Sequence, residues 1–179
     1  MNQCVYEERG DSETSRFRQP FARAKAMIMT LLLPKPMRWA LDRAQAAEAQ
    51  GEVPVGAVIM RGDDVLAVAG NAMRQGHDPT AHAEIVAIRA ACEQIGSQRL
   101  TDCDLWVTLE PCAMCAAAIA HARIARLYYG ASDPKGGGVE SGARIFASPG
   151  CNHSPEIYAG IGEREASEML KQFFAAKRG

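Results

Sequence analysis

Thr80-Ala81-His82-Ala83-Glu84 and Glu110-Pro111-Cys112-Ala113-Met114-Cys115 are the two stretches on which the reading of this chain turns. Together they supply one imidazole, two thiols and a carboxylate able to move protons. One His and two Cys make the three protein ligands of an open tetrahedral zinc site, with the fourth position left to water. Zinc lowers the pKa of such a water to about 7, so a nucleophile is available at neutral pH. Glu84, two residues beyond His82, suits a proton shuttle beside the metal better than a further ligand. His82, Cys112 and Cys115 are therefore the candidate metal ligands, and Glu84 the candidate catalytic acid and base.

Working outward, each stretch opens a helix. Cys112 and Cys115 are three apart and share a face of a first turn. The positive end of a helix dipole also favours thiolate, the form that binds metal. Thr80, with Glu84 close behind, resembles a helix N-terminus, and 81–94 has helical spacing with Ile85, Ile88 and Cys92 inward, ending at Gly96. Pro111 stands at the first helical position of a second helix, from Cys112 to about His121. Residues 105–109 and 126–130 read as strands, and the helix between them implies a parallel crossover.

Upstream, 37–49 is a helix stopped at Gly51. Residues 53–60 and 65–69 form an antiparallel hairpin, with Pro54 near the start of the first strand because proline cannot donate to a central ladder. Residues 71–78 are a polar loop and 135–142 a Gly-rich one. Residues 162–177 close the chain as an amphipathic helix with Ala166, Met169, Leu170, Phe173 and Phe174 inward.

A chain of 179 residues with 47% hydrophobic content fits one compact domain, read here as residues 37–179. Residues 1–36 read as a flexible extension. From Arg16 to Arg38 it carries six basic residues and no acidic one, so a basic arm for RNA and a transit peptide are the alternatives. The net charge of −1 advertises no nucleic-acid binding by the chain as a whole, although a local basic face is compatible with it. Six Cys and no secretory signal point to a reducing cytoplasm. No apolar run approaches the ~20 residues that span a bilayer, so no membrane association is expected. The plainer readings of the motifs explain less. A lone Cys-x-x-Cys redox pair leaves His82 and Glu84 unexplained, and a structural zinc site would use four protein ligands. Asp133, after a strand in a Gly-rich loop, is by itself more often a turn former.

The His-x-Glu and Pro-Cys-x-x-Cys pair is the signature of zinc nucleobase deaminases. The sequence resembles the cytidine deaminase superfamily and, within it, the bacterial tRNA-specific adenosine deaminases, from about Met37 to Lys177. The resemblance is carried by Glu52-Val53-Pro54-Val55-Gly56-Ala57-Val58, Asn71, His77 to Ile85, Val107 to Ala116, and His121-Ala122-Arg123-Ile124. It implies an α/β, three-layer α-β-α fold on a central five-stranded mixed sheet, and one Zn2+ per subunit. It implies a homodimer whose site borrows residues across the interface, and adenosine-to-inosine conversion at the wobble position of a tRNA anticodon stem-loop. Asn71 would then bond the flipped base, Val55 and Leu109 would wall its pocket, and Asp133 would hold the preceding nucleotide. The segment from Ser132 to Ala143 departs from that family's pattern, with Ser132 where the family carries a basic residue and a Gly-rich loop after Asp133. Guanine and cytosine deaminases share the zinc core and are the rival enzymes; an RNA-binding subunit that keeps only the fold is the non-enzyme rival, opposed by an intact Glu84.

Overall fold

The computed structural model describes residues 32–178. The expected N-terminal extension lies almost wholly outside them. Helix α1 (Lys35–Ala49) starts two residues before Met37, capped at Pro34 and carrying Pro36 in its first turn. Proline is tolerated there because first-turn N–H groups have no intrahelical partner. Strand β1 (Gly56–Arg61) and strand β2 (Asp64–Gly70) form the expected hairpin, with a bulge between Ile59 and Met60. β1 begins later than its apolar run, since Pro54 has no N–H to pair.

Helix α2 (Ala83–Ile95), strand β3 (Asp104–Leu109), helix α3 (Ala113–Ala122) and strand β4 (Arg126–Ala131) follow. After a single 3-10 turn at Ile145–Ala147 come strand β5 (Glu156–Tyr158) and helix α4 (Glu163–Ala176). The sheet runs β2-β1-β3-β4-β5. β1 is antiparallel to β2 and β3, whereas β3, β4 and β5 are parallel, which makes the sheet mixed and five-stranded as expected.

Alternation along the strands divides the core between two sheet faces. Ile59, Leu105, Val107, Leu127 and Tyr129 face α2 and α3, while Val58, Met60 and Trp106 face α1 and α4. Small residues bring the helices close. A Cβ on Gly56 would lie 2.0 Å from the Ala40 carbonyl oxygen, so α1 crosses β1 at a distance only glycine allows.

Several expectations shift. The deepest stripe of α2 is Ala83, Ala87 and Ala91, all fully buried, while Ile88 and Cys92 sit at its margin. Phe174 is 45% exposed: it is one residue, about 100° of helix, from Phe173, and only Phe173 turns inward. β5 has just three residues, too short for a periodic signal, and pairing to β4 alone defines it. No helix among the described residues is long and apolar enough to cross a membrane.

Candidate active site

Both helices that carry candidate ligands begin at the same spot, and one candidate ligand of each occupies the cap position. His82 caps α2 and Cys112 caps α3, each with extended backbone and neither side chain spent on a capping bond. Thr80 does not start the helix. Its N–H and hydroxyl donate to Asp78 Oδ1 at 2.8 and 2.6 Å, a local turn that competes with helix. Pro111 likewise stands one residue before the cap rather than inside the first turn. The capping of α2 is done from outside by Asn71, whose Oδ1 accepts the Ala83 N–H at 2.9 Å. That leaves the His82 imidazole free.

His82, Cys112 and Cys115 present Nδ1 and two Sγ atoms within 4.8 Å of one another. The two Sγ···Nδ1 separations are 3.7 and 3.6 Å. Tetrahedral zinc with bonds of about 2.05 Å to nitrogen and about 2.3 Å to sulfur would set such pairs about 3.6 Å apart. The donor set therefore fits zinc. Hydrogen bonding from Cys115, and then from His82, outweighs desolvation and brings the Cys112 thiol down to about 4, so it is a thiolate at neutral pH. The bond to Cys112 raises His82, and the bond to Cys112 together with burial raises Cys115; a metal displaces the protons these two hold.

Glu84, at the second position of α2, is 3% exposed, and burial pushes its carboxyl up. A carboxyl whose pKa is raised gives a proton more readily near neutral pH than an ordinary one and can still take one. It borders a cavity of about 290 Å³, bounded also by His82 and Cys112, whereas Cys115 lies fully buried behind them. Val55, Asn71, Leu109 and Asp133 line the same cavity, together with Val53, Met73 and Gly136, which sequence reasoning did not single out. The volume sits at the lower edge of small-molecule sites, ~300–1,000 Å³, and suits one base. A larger groove of about 880 Å³ between α2 and α3 contains none of His82, Cys112 and Cys115.

Two buried carboxylates shape the cavity rim without entering the chemistry. Glu52 Oε1 accepts the N–H groups of Arg74 and Gln75 at 2.7 and 3.0 Å, holding the loop that carries Met73. Glu110, 2% exposed, accepts the N–H groups of Asp133, Val139, Glu140 and Ser141 and the Ser141 hydroxyl. Burial alone would raise its pKa, but those donors, Ser141 and Asp133 foremost, hold the carboxyl below its ordinary value. Asp133 Oδ1 accepts the Lys135 and Gly136 N–H groups at 3.1 and 3.0 Å, so it shapes a turn while bordering the cavity. Glu110 reads from the sequence as a supporting rather than catalytic residue, but no pattern marks Glu52 or the N–H groups the two collect, which are 22 to 31 residues away.

Residues 33–131 match the model of the cytidine and deoxycytidylate deaminase zinc-binding region. The fold and the His-Cys-Cys-Glu constellation thus define a deaminase of the cytidine deaminase superfamily. A tRNA-specific adenosine deaminase of Agrobacterium fabrum (strain C58) is 56% identical over 142 residues, 79% of this chain and 93% of the relative. A solved structure from work on A-to-I editing by tRNA:A34 deaminases at the wobble position of transfer RNA matches with a TM-score of 0.75. It is 56% identical and spans 75% of this chain and 98% of that one. A guanine deaminase of Nitrosomonas europaea matches at a TM-score of 0.69 with 21% identity, over 80% and 86% of the two chains, a likeness of fold alone. The chain belongs to the tRNA-specific adenosine deaminase family.

Proposed function

We propose that this protein hydrolytically deaminates adenosine to inosine at the wobble position of a tRNA anticodon, using one zinc ion per subunit. The observation that carries the reading is the His82–Cys112–Cys115 triad beside Glu84 on a base-sized cavity, in a chain 56% identical to a tRNA-specific adenosine deaminase. Zinc at the triad would supply a water activated near neutral pH. Glu84 accepts a proton as water adds to the amidine carbon and delivers it to the ring nitrogen; it then takes the proton of the new C–OH and passes it to the amino group, which leaves as ammonia as the carbonyl forms. Asn71 has its carbonyl engaged by Ala83, so its amide N–H groups are what it offers a base, matching a purine ring nitrogen. Val55 and Leu109 exclude water from the base faces, and Asp133 stands where a neighbouring nucleotide would pass. An anticodon loop presents its base unpaired, which avoids most of the cost of extruding it.

The deaminase domain is assigned to residues 37–179 and the preceding residues to an extension. The protein is assigned to the cytoplasm as a homodimer. The groove between α2 and α3, whose lining includes Ile85, Ile88, Ala117 and Ala118 beside Arg89, Arg99 and Arg123, is where a second copy would pack. The test is inosine formation by the zinc-loaded protein on an anticodon stem-loop beside free adenosine, adenine, guanine and cytosine. Inosine in the stem-loop alone is expected. Turnover of guanine or cytosine with an untouched stem-loop would keep the zinc chemistry and replace the substrate.

A further inference from the structure

The Gly-rich segment after β4 is a built structure. From one side it wraps Glu110, which collects four of its N–H groups. A Cβ on Gly137 would lie 2.6 Å from the Glu110 carboxylate, and one on Gly138 would lie 2.6 Å from the Ala113 backbone at the start of α3. The Gly138 N–H donates to the Pro111 carbonyl at 2.8 Å, and Gly137 bridges to Cys112. On the other side a side-chain pair joins the segment to the sheet. Tyr129 is fully buried in β4, opposite Val107 of β3, and its hydroxyl donates to Glu140 Oε2. Glu140 is otherwise exposed, and this bond ties its side chain to the sheet. The opposite end of the same segment supplies Asp133 and Gly136 to the cavity.

We propose that Tyr129 and Glu140 are positioning residues: they latch residues 133–141 into a preformed wall of the substrate cavity. The proposal rests on the adenosine deaminase reading of that cavity. A hydrogen bond to a carboxylate is charge-assisted and stronger than a neutral one. A wall ordered before binding spares the ligand the cost of ordering it, and apparent affinity scales with the fraction of molecules already competent. The latch touches neither the metal ligands nor Glu84, so its effect falls on KM.

Tyr129→Phe removes one oxygen and leaves the exposed Glu140 to water; Glu140→Ala removes the acceptor; Glu140→Gln keeps an acceptor oxygen. On the stem-loop, the first two are expected to raise KM about fivefold, with kcat within about twofold and zinc content unchanged, while Glu140→Gln stays near wild type. Hydrogen exchange at the Val139, Glu140 and Ser141 amides is expected to quicken in the first two alone. An unchanged KM in Tyr129→Phe and Glu140→Ala overturns the latch, as does a joint fall of kcat and zinc content, which would mark a merely structural role. A wild-type protein inactive on the stem-loop overturns the functional reading instead. The latch is then decided by exchange, and unaltered protection of those three amides removes it.

Discussion

In the proposed mechanism, Glu84 is the residue at which chemistry separates from binding. Glu84→Ala is expected to lower kcat by at least about 10³-fold while zinc content and stem-loop affinity persist. Retained deamination in a zinc-loaded Glu84→Ala protein would refute the catalytic assignment. Asn71 has two duties. Asn71→Ala strips the outside cap from α2, so unfolding should show a loss of about 1 kcal/mol or more, and activity should fall further than stability does. A stability loss with wild-type kcat/KM would restrict Asn71 to capping. These residues were legible to different degrees. The His, Cys, Cys and Glu spacing announced itself because ligand chemistry admits few side chains. Asn71 was visible only through family resemblance, and its bond to Ala83 links positions 12 apart through a loop of no regular period.

At the scale of the element, the cavity is made by two helix starts and two pinned loops. Cys112 keeps its place only if α3 begins where it does, and the segment at Gly138 lies directly against that beginning. Gly138→Ala forces a methyl into the Ala113 backbone, and overpacking of that kind costs about 1–3 kcal/mol. Zinc affinity is expected to drop along with the melting temperature, and metal titration beside thermal unfolding checks both. Glu110→Ala leaves five donors without their acceptor, and each that fails to find water costs about 1–3 kcal/mol, so a large fall in melting temperature is expected. Helix and strand identities followed from periodicity, but starts did not. The Asp78–Thr80 turn displaced the start of α2, and the missing Pro54 N–H delayed β1, both effects of single bonds rather than pattern.

For the whole molecule, metal and fold are coupled, because three ligands from two helices must converge before zinc binds. Chelation should lower the melting temperature, and added zinc should restore it along with activity. A protein whose unfolding ignores chelator would hold no metal at the triad. Ile88→Asp, in the lining of the α2–α3 groove, is expected to shift the molecule from dimer to monomer in light scattering; an unchanged dimer mass would move the interface elsewhere. The chemistry, the α/β class and most elements were determined by the chain on its own, because ligand type, helical period and strand alternation are local properties. Tertiary structure decided that His82 and Cys112 are both cap residues, that β5 exists, that Phe174 faces water, and that a Gly-rich segment is a fastened wall. Each of these depends on groups far apart in sequence, where no local pattern records which donor will meet which acceptor.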